Sequence, residues 1–187
     1  MAFDGLAVPT GTAFETPLGP VPIDEGARMQ ALRFDFVHAL DGPHRAEHSL
    51  EVQLPFLQAV LGAFSVLPVV VGFASRSEVR TLLDALWGGD ETLIVVSSDL
   101  SHYHDYDTAK RMDGATAEAI ERMQPSGIGV DQACGRVAVQ GLLEASKEHG
   151  LVPLRLDLRN SGDTRGGRRE VVGYGAWALT ASKNGSP

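Results

Sequence analysis

Eleven residues, Ser97 to Asp107, read SSDLSHYHDYD and hold two histidines, three aspartates and two tyrosines directly after the apolar run TLIVV, residues 92–96. An imidazole in a loop at the end of a strand can bind a metal, carry a proton or hydrogen-bond to its neighbours. His102 and Asp99 are the candidates, with the plainer alternative that Asp99 caps its own turn. His104, two residues on, either helps to bind or stands in solvent. A second constellation, HRAEHSLEVQLPF from His44 to Phe56, sets Glu47 beside His48. That pair suits acid–base work or the fixing of a metal-ligating ring, the alternative being a helix start whose dipole Glu47 complements. In ACGRVAV, Cys134 falls in what reads as the first turn of a helix, a position that favours the thiolate. Metal ligand, redox thiol, nucleophile and buried structural residue all stay open for it. The fourth stretch, LRNSGDTRGG from Leu158 to Gly167, is a Gly- and Asp-rich loop that also reads as ordinary surface. No Walker loop, GxGxxG or GxSxG occurs, which removes the main support for nucleotide-binding and α/β-hydrolase readings.

The elements that must position these residues follow from periodicity. Gly5–Val8 reads as a strand without an obvious preceding neighbour, and Phe64–Gly72 and Glu91–Val96 are short, apolar and β-branched, as expected of strands covered on both faces. Between the last two, Ser75–Glu78 resembles a capping box, and Val79, Leu82, Leu83 and Leu86 recur at helical spacing until Gly88-Gly89. Leu50, Leu54, Leu57 and Leu61 are also helically spaced, with Pro55 kinking that helix or marking its first turn. Asp107 is the expected cap of a helix carrying Met112, Ala115, Ala119 and Met123 and closing before Pro125. A further helix begins between Asp131 and Cys134 and stops at His149-Gly150. Leu151–Leu158 and Val171–Leu179 read as strands. Alternating strands and helices predict an α/β fold with a mostly parallel central sheet flanked by helices, in which sites gather beyond the carboxyl ends of strands.

The 187 residues suffice for one domain, expected over residues 1–180, with residues 181–187 as a disordered tail. A net charge of −8 with Lys and Arg gathered into no run gives no footprint for nucleic acid or an anionic membrane, so the expected substrate is a small molecule or a protein. One cysteine excludes an internal disulfide, and no signal peptide or membrane-length apolar run appears. The expected location is the cytoplasm.

In this order, EHSLEVQLPFL (Glu47–Leu57), SSDLSHY (Ser97–Tyr103), ACGR (Ala133–Arg136) and NSGDT followed by VVGYGAWAL (Asn160–Leu179) resemble the Memo family. Its prokaryotic members are called AmmeMemoRadiSam system protein B. The resemblance implies a fold similar to class III extradiol dioxygenases, which are non-haem iron enzymes. It implies a metal site with His102 as ligand and Asp99, Cys134, Glu47 and His48 lining it, holding iron or copper. Such a centre leaves positions open for oxygen or substrate. The family name further implies a radical SAM protein and an AmmeMemo-type protein as partners.

Members of that family carry an N-terminal segment with an HAGY motif and a GPSH-like motif, whose histidines complete the metal site. Neither motif occurs here, so the chain reads as N-terminally truncated, with Met1 not the natural start. A stable mononuclear site generally needs three or more protein ligands, which His102 alone does not supply. The leading expectation is therefore a metal-dependent oxidoreductase that works with that segment in place. A non-catalytic binding or adaptor protein with an inherited, incomplete pocket is the alternative. Thiol chemistry, with Cys134 as nucleophile, His102 as base and Asp99 orienting it, is a third.

Overall fold

The computed structural model describes residues 2–164 and 166–181. The chain is mixed α/β and divides into two compact units, Met1–Ser97 and Ser98–Pro187.

The first unit is organised by β1 (Leu6–Val8), whose three side chains are wholly buried. It pairs parallel with β4 (Val37–Ala39) and antiparallel with β5 (Val70–Val71). Gly5 enters this strand with φ of +77°, and a Cβ there would lie 2.2 Å from the carbonyl oxygen of Phe36. Only glycine permits both that backbone conformation and that approach. A two-stranded ribbon of β2 (Ala13–Phe14) and β3 (Val21–Pro22) leads into α1 (Glu25–Ala31), capped by Asp24, which accepts the Ala27 N–H at 2.9 Å. After α2 (Asp41–Ala46), a turn of 3-10 helix at Glu51–Gln53 runs into α3 (Leu54–Val60), where Pro55 stands in the first turn and breaks no hydrogen bond. The expected capping box starts α4 (Arg76–Ala85), Ser75 and Glu78 each accepting from the other's backbone.

Two expectations fail here. Of Phe64–Gly72 only Val70–Val71 is strand, and Glu91–Val96 joins no ladder among the described residues. A β-branched apolar run becomes a strand only where an edge stands beside it to take its N–H and C=O groups, and none does at 91–96. Among the described residues there are three small sheets, one mixed and two antiparallel, and not one mostly parallel sheet; the only parallel ladder among them is β1 with β4.

The second unit is a long antiparallel hairpin, β7 (Leu151–Asn160) with β8 (Val171–Ala181), extended by β6 (His102–His104) on the other edge of β8. A bulge between Arg155 and Asp157 shifts its register. Helix α5 (Tyr106–Glu121) packs on β7 and β8, and α6 (Arg136–Glu148) on β7. Ala119, Ile120, Ile128, Ala133 and Leu143 form the core between them, with Met123, Val139, Trp177 and Leu179 packed against it. Asp105, not Asp107, caps α5: its carboxylate accepts the Thr108 N–H at 3.0 Å, and Asp107 lies in the first turn. Of the expected apolar face of α5, Ala119 is buried and Met123 packs against the core, while the rest of the buried face runs through Ala109, Asp113, Thr116, Ala117 and Ile120. Helix α6 starts one residue past Gly135, so Cys134 precedes the helix and is not in its first turn. Ala181 still pairs with Leu151, so the ordered chain includes it; residues 182–187 of the expected tail, like Met1, lie outside the described residues.

Candidate functional site

In the second unit, Asp99, His102 and Cys134 come together although α5 and its following loop separate them in the chain. Asp99 Oδ2 lies 3.4 Å from His102 Nε2, an ion-pair distance at a half-exposed position. Cys134 is exposed and is bound to Asp99 in both directions: the Asp99 N–H donates to Cys134 Sγ at 3.2 Å, and the Cys134 N–H donates to the Asp99 carbonyl at 3.2 Å. The Ser98 hydroxyl stands 3.6 Å from the same sulfur, donates to the Asp99 carbonyl and accepts the Gly135 N–H at 2.8 Å. Ser98-Asp99 and Cys134-Gly135 are thus two sides of one lock, and the cysteine is held by it.

His102, His104, Val130, Asp131, Ala133 and Cys134 line a depression of about 350 Å³. Tyr103, between the two histidines, adopts φ of 59°, and the β6 ladder shifts register across it. The shift leaves the Tyr103 side chain in solvent while both imidazoles, half-buried, face the depression. His104 is therefore part of this surface and not a residue standing in solvent. Its sequence signal was its place two residues from His102 on a strand, where side chains share a face.

Behind the histidines lies Asp113 of α5, 3% exposed, whose carboxylate accepts the Ser101 N–H at 3.0 Å. Burial pushes Asp113 above the ordinary aspartate range, opposed by the Ser101 hydrogen bond and by the charges of His102 and His104. In the sequence it stands outside the expected stripe of Met112, Ala115, Ala119 and Met123, on the face that Ala109 and Ala117 share. The i, i+4, i+8 spacing was the available clue.

The NSGDT stretch is a structural bracket. Asn160, almost fully buried, accepts the Gly162 N–H, and Asp163 returns the bond from the Asn160 N–H at 3.0 Å. The Tyr106 hydroxyl donates to Asp163 at 2.5 Å and holds its carboxyl below the usual range, while the Arg168 guanidinium stacks 4.4 Å over the Tyr106 ring. The loop therefore ties the start of α5 to the β7–β8 turn; its Arg165 lies outside the described residues.

Glu47 and His48 belong to the first unit. Glu47 accepts the Ser49 N–H at 2.7 Å, which holds its carboxyl low. His48, 80% exposed, pairs through Nδ1 with Glu51 at 2.5 Å, and that carboxylate raises its pKa. The buried histidine of this stretch is His44: Nε2 meets the Ala7 carbonyl at 3.1 Å, Nδ1 has no partner among the described residues, and burial lowers its pKa.

Imidazole, carboxylate and thiol are all metal donors, but among the described residues no three His, Cys, Asp or Glu side chains converge as a metal site. The described residues do not by themselves supply the donors of a closed metal centre.

The family described as Memo-like protein matches residues 2–178. This chain belongs to the Memo-like family. Similar proteins include a MEMO1 family protein of Aquifex aeolicus, 34% identical with 90% of this chain and 67% of the relative covered. Those of Thermotoga maritima and Aeropyrum pernix are 36% and 35% identical, covering 91% and 87% of this chain. This Memo-like chain spans about two thirds of the length of such relatives, 66% for Thermotoga and 63% for Aeropyrum. No helix among its described residues is long and apolar enough to cross a membrane.

Proposed function

We propose that this Memo-like chain carries part of the site of a metal-dependent oxidoreductase related in fold to the extradiol dioxygenases, with His102 as a ligand of iron or copper. The observation that carries the reading is that His102 and Cys134, from two separate segments, line one depression and that Asp99 contacts both. A bound metal would supply the redox chemistry. Asp99 would hold the His102 ring, as carboxylates do behind ligating imidazoles, and Cys134 would border the open face. Glu47 and His48 are proposed to line the same site in the whole protein, which acts on a small molecule or a protein. Partnership with a radical SAM protein and an AmmeMemo-type protein rests on the family resemblance alone, and cytoplasmic location on the sequence.

One observation favours a second reading, a non-catalytic binding or adaptor protein: the absence, among the described residues, of three converging donors. Metal analysis of protein purified without chelators, followed by titration with Fe(II) and Cu(II) and measurement of oxygen uptake, separates the two. The oxidoreductase reading expects bound metal that is lost in His102→Ala, with folding changed by about 1 kcal/mol or less because a half-buried side chain on a three-residue edge strand contributes little to the core. Stoichiometric metal in His102→Ala rules out His102 as ligand. A protein of the relatives' full length that binds no metal and takes up no oxygen supports the adaptor.

A further inference from the structure

We infer that Asp113 is the positioning residue of this site, latching the Asp99–His102 backbone to α5 so that the Asp99 N–H stays aimed at the Cys134 sulfur. The inference rests on the reading that the depression bordered by His102 and Cys134 is the functional site.

The segment Leu100–Ser101 is held on two sides. Leu100 N–H donates to the Gly173 carbonyl at 2.9 Å and Gly173 N–H to the Ser101 carbonyl at 2.8 Å, which fixes it to β8. The remaining amide, Ser101 N–H, belongs to a wholly buried residue, so it needs an acceptor of its own. Asp113 is that acceptor. The fit is close: a Cβ on Gly173 would lie 2.1 Å from Asp113 Oδ2, so the glycine opens the space in which the carboxylate sits. On one side of the latch stands Asp99, bonded reciprocally to Cys134; on the other stands His102. A buried carboxylate is a costly way to satisfy one amide, and an apolar side chain would pack this helix face more cheaply. Its place between the segments bearing both site residues gives that cost a use.

The test reads the thiol and the amide in the whole chain, without metal. Asp113→Ala should slow alkylation of Cys134 by iodoacetamide about fivefold, the weight of one hydrogen bond lost from the sulfur, and speed exchange of the Ser101 amide by at least as much. Asp113→Asn keeps the acceptor oxygen and should restore both to within about twofold of the parent. Gly173→Ala, which displaces the carboxylate without removing it, should reproduce the slow thiol and serves in place of Asp113→Ala if that variant does not fold. An unchanged thiol rate beside a fast-exchanging Ser101 amide would overturn the inference, leaving Asp113 a packing residue. So would an Asn variant as slow as Ala. Cu(II) titration of a protein of the relatives' full length keeps the two claims apart, since one that binds no metal yet shows this thiol pattern would sink the metal reading and leave the latch.

Discussion

The two units solve the problem of holding a strand in opposite ways. Residues up to Ser97 use strands of two or three residues, and β1 stays in place because Leu6, Ala7 and Val8 are completely buried and Gly5 lets the chain pass against Phe36. From Ser98 onward the frame is a hairpin of ten- and eleven-residue strands with nine register pairs, covered by two helices. A short ladder contributes few hydrogen bonds, so its position depends on steric fit; a long one is fixed by its own repetition. The first unit should therefore be brittle at single close contacts, and the second should respond gradually to changes of volume.

The contrast is sharpest at Gly5. Gly5→Ala adds backbone strain to a backbone clash and should cost about 4 kcal/mol, read as a lowered thermal midpoint with early proteolysis confined to residues before Ser97. A midpoint unchanged by that substitution would remove the steric account of the first unit. Next in size, Leu143→Ala, at the 1% exposed centre of the second core, should cost about 3 kcal/mol by calorimetry while leaving the β7–β8 amides protected from exchange. Loss of that protection would show the hairpin to depend on its core as strictly as β1 does.

A substitution of opposite sign comes third. Gly114 lies inside α5 with nothing within 4 Å of where a Cβ would go, and Gly114→Ala should raise stability by about 1 kcal/mol in denaturant titration. The smallest effect is expected from pH. Burial lowers the pKa of His44 below its ordinary 6.5, against the Ala7 carbonyl and the Asp41 charge, so below 6.5 the native state binds fewer protons than the unfolded chain. Stability of the first unit should rise with pH through that window and be lost as pH falls through the lowered pKa. His44→Gln should flatten the difference between midpoints measured at about pH 5 and about pH 7.5. An unchanged difference would mean that His44 does not titrate with folding.

What the sequence disclosed follows the same division. The capping box at Ser75, the strands 151–158 and 171–179 and the juxtaposition of Asp99, His102 and Cys134 were legible because each rests on local chemistry or a complete motif. Glu91–Val96 was misread because its composition specifies a strand while pairing depends on a neighbour that periodicity cannot reveal. The cap of α5 slipped from Asp105 to Asp107 because three aspartates compete within SSDLSHYHDYD and only the backbone angle at Asp105 decides. Asp113 was harder to find for a different reason: its spacing places it on a helix face, but its partner is a backbone amide, which has no side chain to leave a trace in sequence.

Trp177 closes the core of the second unit with its ring against Gly175, and its indole N–H is buried without a partner among the described residues. The chain's other tryptophan, Trp87, follows α4 in the first unit. Each unit thus carries its own fluorophore, and the two should differ in colour: an indole in an apolar, proton-acceptor-free pocket emits to the blue, whereas half-buried Trp87 emits to the red. Trp87→Phe leaves Trp177 as sole emitter, so the optical spectrum of an otherwise unlabelled protein can report the melting of the unit that bears His102 and Cys134.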